Sequence, residues 1–193
     1  MQAAIYMDFK KDLLLIDLET TGLNVNRHEV IQLAAVLLDR KTLKEKRFFN
    51  SFIKPAKWKN RNRESMKVNG IIREQLKDSP TLKSVINKFN KLFNPKKSIL
   101  SYYSGVLDIV FLQEAYRKLR KNFPFDYHYL NLWPVFYVAL AKQNQLKNRK
   151  EFAGFGLEDL AKRFKIKIQG VRHDALYDCR LEAEILRRVI KRL

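Results

Sequence analysis

The chain has 193 residues, enough for one well-buried domain and short for two. Its 39 Lys and Arg against 20 Asp and Glu leave a net charge of +19. Such an excess suits a polyanionic partner, because each neutralised phosphate releases a condensed counterion, although a lysine-rich surface accounts for it equally well. The single Cys179 excludes an internal disulfide and fits a reducing compartment. No N-terminal stretch has the pattern of a signal peptide. The longest apolar run, residues 133–141, is far below the roughly 20 residues that span a bilayer. A cytoplasmic protein with no membrane attachment is expected.

In chain order, residues 12–18, 29–39 and 45–53 are rich in Leu, Ile, Val and Phe and predict three strands, the second and third joined by a polar turn at 39–44. Residues 54–67 form a basic segment expected to be a surface loop. Ser79-Pro80 sets Pro in a first helical turn, followed by Leu82, Val85, Ile86, Phe89, Leu92 and Phe93 at helical spacing. A strand at 98–103 leads into a helix at 108–120, with Phe111, Leu112, Ala115, Tyr116 and Leu119 as its apolar stripe. Further helices are expected at 134–146, 156–164 and 174–192, with a second surface loop at 143–153. Without repeats or a break in composition, residues 1–193 read as one domain, a mixed α/β sheet with helices packed on it.

Asp17 and Glu19 lie two apart on a strand, so they project from one face with Cα atoms about 7 Å apart. Two adjacent acids repel, and on so apolar a strand a hard cation such as Mg²⁺ or Mn²⁺ would compensate them. Alternatively, the strand ends near Leu18 and Glu19 enters a solvated turn. On the last helix, a rotation of 100° per residue gathers Ala175, Cys179, Leu186, Ile190 and Leu193 in one sector and Arg180, Glu184, Arg187, Arg188 and Lys191 in the other. Asp178 flanks the apolar sector and faces the protein body, where it meets a cation, an Arg or a backbone to cap. Glu182, one turn on, sits at the same edge. Asp108 by itself reads as an N-cap. His173 follows 170–172, a loop that would leave its imidazole accessible.

Taken together and in order, DLETTG at 17–22, the segment ending in Asp108, and His173 to Asp178 with the spacing H-x-A-x-x-D resemble the DEDDh class of 3′→5′ exonucleases, which includes proofreading subunits of bacterial replicative polymerases. The likeness extends to Glu29-Val30-Ile31-Gln32, to Asn69-Gly70-Ile71 and to GFGLEDLAKRF, so it covers roughly residues 12–190. It implies a ribonuclease H-like fold with a central five-stranded mixed sheet. It also implies that Asp17, Glu19, Asp108 and Asp178 hold two divalent ions, Mg²⁺ or Mn²⁺, with His173 as general base. Thr20, Thr21 and Leu23 would line the pocket for the 3′-terminal nucleotide. Some positions depart from the pattern: Tyr103-Ser104 replace a common His-Asn, Asn69 replaces a frequent His, and Glu182 stands where a small or hydroxyl residue is usual and could contact Arg180 or Lys162. Tyr102 and Tyr103 read as core or surface tyrosines or as stacking platforms for a base.

The expected activity is hydrolysis at a free 3′ end of DNA or RNA, releasing nucleoside 5′-monophosphates. An RNA-end trimmer on the same site and a non-catalytic nucleic-acid-binding module are the alternatives, and a polymerase or other protein partner is left open. Arg117, Lys118, Arg120 and Lys121, and the basic face at 187–192, read as solubility or docking surface. Lys54, Lys57, Lys59, Arg61, Arg63 and Lys67 surround Trp58 in a segment suited to gripping phosphates, or to simple solvation. Neutralising three of these bases is expected to raise KM for an oligonucleotide and flatten its salt dependence; an unchanged salt slope removes the segment from the binding path.

Overall fold

The computed structural model describes residues 9–103, 106–143, 156–167 and 173–191. Five strands, β1 (Asp12–Thr20), β2 (Val30–Leu38), β3 (Glu45–Phe52), β4 (Ser98–Tyr102) and β5 (Leu130–Asn131), form one sheet in the order β3-β2-β1-β4-β5. β2 and β3 run as antiparallel hairpin neighbours. β4 is parallel to β1, and β5 is parallel to β4. Among the described residues seven α-helices accompany the sheet: α1 (Arg63–Asn69), α2 (Arg73–Lys77), α3 (Leu82–Leu92), α4 (Leu107–Lys118), α5 (Leu132–Lys142), α6 (Leu157–Arg163) and α7 (Ala175–Ile190). No helix among the described residues is long and apolar enough to cross a membrane.

The run Leu13-Leu14-Leu15-Ile16 is completely buried, as a central strand covered on both faces requires. Its alternation divides the core. Leu13 and Leu15, with Ala34, Val36 and Leu38, pack under α5, α6 and α7. Leu14, Ile16 and Leu18, with Leu33 and Ala35, pack against α3 and α4, where Phe89 meets Phe49 edge-on at 5.8 Å. Each such buried side chain contributes about 2 kcal/mol. At the exposed edge, β3 begins with Glu45, Lys46 and Arg47, charges that discourage pairing with another strand.

Strand pairing opens the site. β1 and β4 are paired from Asp12↔Ser98 only to Leu15↔Ser101, whereas β1 and β2 stay paired to Glu19↔Gln32 before the register shifts at Thr20. The last residues of β1 therefore lack a neighbour on the β4 side. They border a crevice at the carboxyl end of the sheet, where the neighbours of β1 change from antiparallel to parallel.

Several expectations are corrected. The basic segment 54–67 is not one loop: a 3₁₀ turn at Trp58–Asn60 and α1 occupy much of it, Asn62 capping α1 by accepting from the Ser65 N–H at 2.9 Å. Pro80 lies ahead of the helix, whose cap is Thr81, accepting from the Ser84 N–H. α5 starts two residues early because Asn131 caps it. β5, two residues long, carries no readable periodicity. Leu193, Ser104, residues 144–153 of the second expected loop and residues 170–172 lie outside the described residues.

Beyond β1 the chain turns back around a buried His28, whose Nδ1 accepts from the Asn24 N–H at 2.9 Å. Gly22 sits directly beneath that ring with φ +154°, and a Cβ there would fall 2.4 Å from the imidazole. Gly22→Ala is expected to destabilise the fold by about 2 kcal/mol or more, read from urea unfolding; an unchanged midpoint would mean that the ring moves aside freely.

Candidate functional site

Asp17 and Glu19 continue the alternation of Leu13 and Leu15, so they emerge on the face covered by α7. β1 remains a strand through Thr20, which removes the solvated-turn alternative for Glu19. Opposite them in register are Ala34 and Gln32. Ala34 is small and fully buried, leaving room for the helix above. Gln32 donates to Asp174 Oδ2 at 3.3 Å, and Asp174 caps α7 by accepting from the Tyr177 N–H at 2.9 Å. This pairing pins the start of α7 to the sheet at the level of Glu19. Asp178 in the first turn and Glu182 four residues later then share one side of the helix.

Asp108 comes from the opposite layer. It is not the cap of α4, since Val106 holds that position without a side-chain bond. Instead its Oδ1 accepts from the Leu18 N–H at 3.2 Å, supplying a partner on the side of β1 that β4 no longer reaches. His173 stands just before α7 in a left-handed conformation, φ 60°, uncommon for a residue with a side chain. Glu19, His173 and Asp178 each offer a ligand atom within 4.8 Å of the others.

Electrostatically the acids of the centre raise one another. Burial first, then the charges of Asp108, Glu182, Glu19 and Asp178, hold Asp17 well above the ordinary carboxylate range. Glu19 is raised to about 8 by burial and by Asp178 and Asp108, with the Asn69 amide pulling the other way. Burial lifts Asp108 to about 7 against the Leu18 hydrogen bond, and burial with Asp108 and Asp178 raises Glu182. None of Asp17, Glu19, Asp108 and Glu182 pairs with a Lys or Arg among the described residues. Partly buried carboxylates lining one cleft without a Lys or Arg against these four suit a hard divalent cation.

These acids open onto a cleft of roughly 800 Å³ whose lining also includes Thr20, Leu23, Val68, Asn69, Tyr103 and Leu107. Leu23, Val68 and Leu107 are 69%, 60% and 42% exposed, an apolar rim around a charged floor. Val68 and Leu107 escape a reading by motif because each is a single apolar residue on a helix; only their exposure marks them. Thr21 does not line the cleft. It is buried, and its hydroxyl accepts from the Glu29 N–H at 2.9 Å, so it braces the turn. Asn69 donates to the Thr20 carbonyl at 3.1 Å and holds α1 against the end of β1. Tyr102 belongs to the core on the α4 side, whereas Tyr103 stacks on Phe136 at 5.8 Å. Cys179 is a fully buried core residue whose thiol is raised by burial and the nearby acids.

Comparison with known proteins agrees with this arrangement. The exonuclease family (RNase_T) matches residues 14–186. The DNA polymerase III subunit epsilon of Rickettsia prowazekii is 30% identical over 174 residues, 89% of this chain and 71% of that protein. The PolC-type DNA polymerase III of Bacillus subtilis is 29% identical over 182 residues, 92% of this chain but 11% of that protein. Among solved structures, cell-death related nuclease 4 (CRN-4) superposes with a TM-score of 0.80 at 23% identity, covering 95% of this chain and 64% of that one. The nuclease domain of 3′hExo, a DEDDh family member bound to rAMP, superposes with a TM-score of 0.70 at 22% identity over 96% of this chain and 93% of that domain. With the ordered acidic motifs, the sheet order and a family match over nearly its whole length, the chain belongs to the DEDDh-type 3′→5′ exonuclease family.

Proposed function

We propose that residues 1–193 act as one exonuclease domain that hydrolyses the terminal phosphodiester at the 3′ end of a DNA strand and releases a nucleoside 5′-monophosphate. The observation that carries this reading is the convergence of Asp17 and Glu19 from β1, Asp108 from α4 and Asp178 from α7 on one cleft, with His173 beside Glu19 and Asp178. The polymerase III relatives favour DNA and a polymerase as partner. The lone buried thiol accords with the cytoplasm.

Divalent-metal dependence follows from the family; the four acids would hold two ions, Mg²⁺ or Mn²⁺. Two such ions supply a water of lowered pKa and stabilisation of the leaving 3′ oxygen. The protein's own groups do the rest. His173 takes the proton of the attacking water. Leu23, Val68 and Leu107 flank the terminal base, and Thr20 contacts the same nucleotide. Trp58, with Arg61 stacked over it at 4.9 Å, and the exposed Lys57, Lys59 and Arg63 guide the phosphates upstream.

On end-labelled single-stranded DNA with Mg²⁺ or Mn²⁺, stepwise shortening from the 3′ end is expected, abolished by EDTA and by Asp17→Asn. His173→Ala should lower kcat about 10²–10⁴-fold while Mn²⁺ binding persists. Activity surviving EDTA or Asp17→Asn would sink the metal reading, and an unchanged kcat in His173→Ala would move the base elsewhere.

The raised carboxyls also set a pH dependence. Glu19 keeps its proton up to about pH 8 in the metal-free fold but loses it near 4.5 when unfolded, so the folded state binds more protons over that interval. Stability of the metal-free protein should therefore fall as pH rises from about 4.5 to 8. Saturating Mg²⁺, which favours the ionised carboxylates, should flatten the fall. Thermal melts at pH 5, 6.5 and 8 with and without Mg²⁺ test this; a metal-free Tm that climbs with pH contradicts it.

A further inference from the structure

Glu182 is the buried acid of the cleft that neither strand alternation nor the ordered motifs assign, Glu64 on the rim being exposed and paired with Lys67. It lies one turn beyond Asp178 on α7 and is 2% exposed. Its Oε2 is buried and has no hydrogen-bond partner among the described residues. Arg180, one of its two possible basic partners, pairs instead with Glu45 at 3.0 Å, and Arg187 and Arg188 pair with Glu184, all on the outer side of the helix. A buried carboxylate oxygen without a partner is costly, and more so among like charges. Glu182 lines the same cleft as Asp17, Asp108 and Asp178, and its charge bears on the Asp17 carboxyl and on the Tyr103 phenol.

We propose that Glu182 is a fifth carboxylate of the metal centre, presenting Oε2 to a divalent cation held with Asp17, Asp108 and Asp178. The assignment rests on the reading of this cleft as a divalent-metal site. It gives the centre one more negative charge than four acids provide. Two consequences follow with opposite signs: the cation is held more tightly, and the metal-free fold is less stable, because the extra charge then has nothing to neutralise it.

The test is Mn²⁺ binding to the EDTA-stripped full chain by calorimetry, together with metal-free thermal melts, for the wild type, Glu182→Gln, Glu182→Met and Asp17→Asn. Glu182→Gln is expected to weaken Mn²⁺ binding about tenfold, the loss of one nearby charge in a partly screened site. It should also raise the metal-free Tm by about 3 °C, the shift expected from relief of roughly 1 kcal/mol in a chain of this length. Glu182→Met fills a similar volume without polar atoms and should move both readouts the same way.

Affinity within twofold of wild type in either folded variant overturns the assignment. So does failure of both variants to fold, since removal of the charge is expected to stabilise the metal-free protein. If Asp17→Asn weakens Mn²⁺ binding and the Glu182 variants do not, only the role of Glu182 falls. A wild type that binds no Mn²⁺ overturns both the metal centre and the fifth ligand.

Discussion

The crowding of carboxyl groups at one strand end is the constraint around which the structure is arranged. Asp17 and Glu19 extend the most deeply buried strand of the sheet, Asp108 is held against its end, and Asp178 and Glu182 descend on it from above. No basic side chain among the described residues neutralises Asp17, Glu19, Asp108 or Glu182, although 39 Lys and Arg are present in the chain. The basic residues lie instead on outer faces, pairing with Glu45, Glu114 and Glu184. Positive charge is thus left to the surface, where a phosphate backbone would meet it.

The fold makes that concentration of charge sustainable by dividing the work between two layers. Leu13 and Leu15 pack under α7, while Leu14, Ile16 and Leu18 pack against α3 and α4. Each layer delivers acids to the same strand end without crossing the sheet. The Gln32–Asp174 hydrogen bond sets the height at which α7 begins, and α1 closes the remaining side through Asn69.

How much of this was readable depended on whether the signal was local and periodic. The period of two placed Asp17 and Glu19 side by side, and the helical rotation turned Asp178 inward, because both patterns repeat over many apolar neighbours. Asp108 gave no such clue: near a helix start an Asp looks like a cap, and only the separation of β1 from β4 shows that its partner is the Leu18 N–H. β5 is too short to have a pattern. α1 was hidden because basic composition outweighed the cap at Asn62. Thr21 was grouped with its neighbours by motif, yet its hydroxyl is occupied within the turn. Glu182 departs from the motif in sequence, but its burial and its oxygen without a hydrogen-bond partner among the described residues are tertiary facts.

The bond from the Leu18 N–H to Asp108 Oδ1 reaches further than the repair of a strand end. It commits one oxygen of that carboxylate to the backbone, so the end of β1 orients the Asp108 side chain. Because the anchor is main chain, its position follows the path of β1 and not the rotamer of a neighbouring side chain. The placing of this carboxylate at the cleft is therefore a property of the sheet, set by where β1 and β4 part.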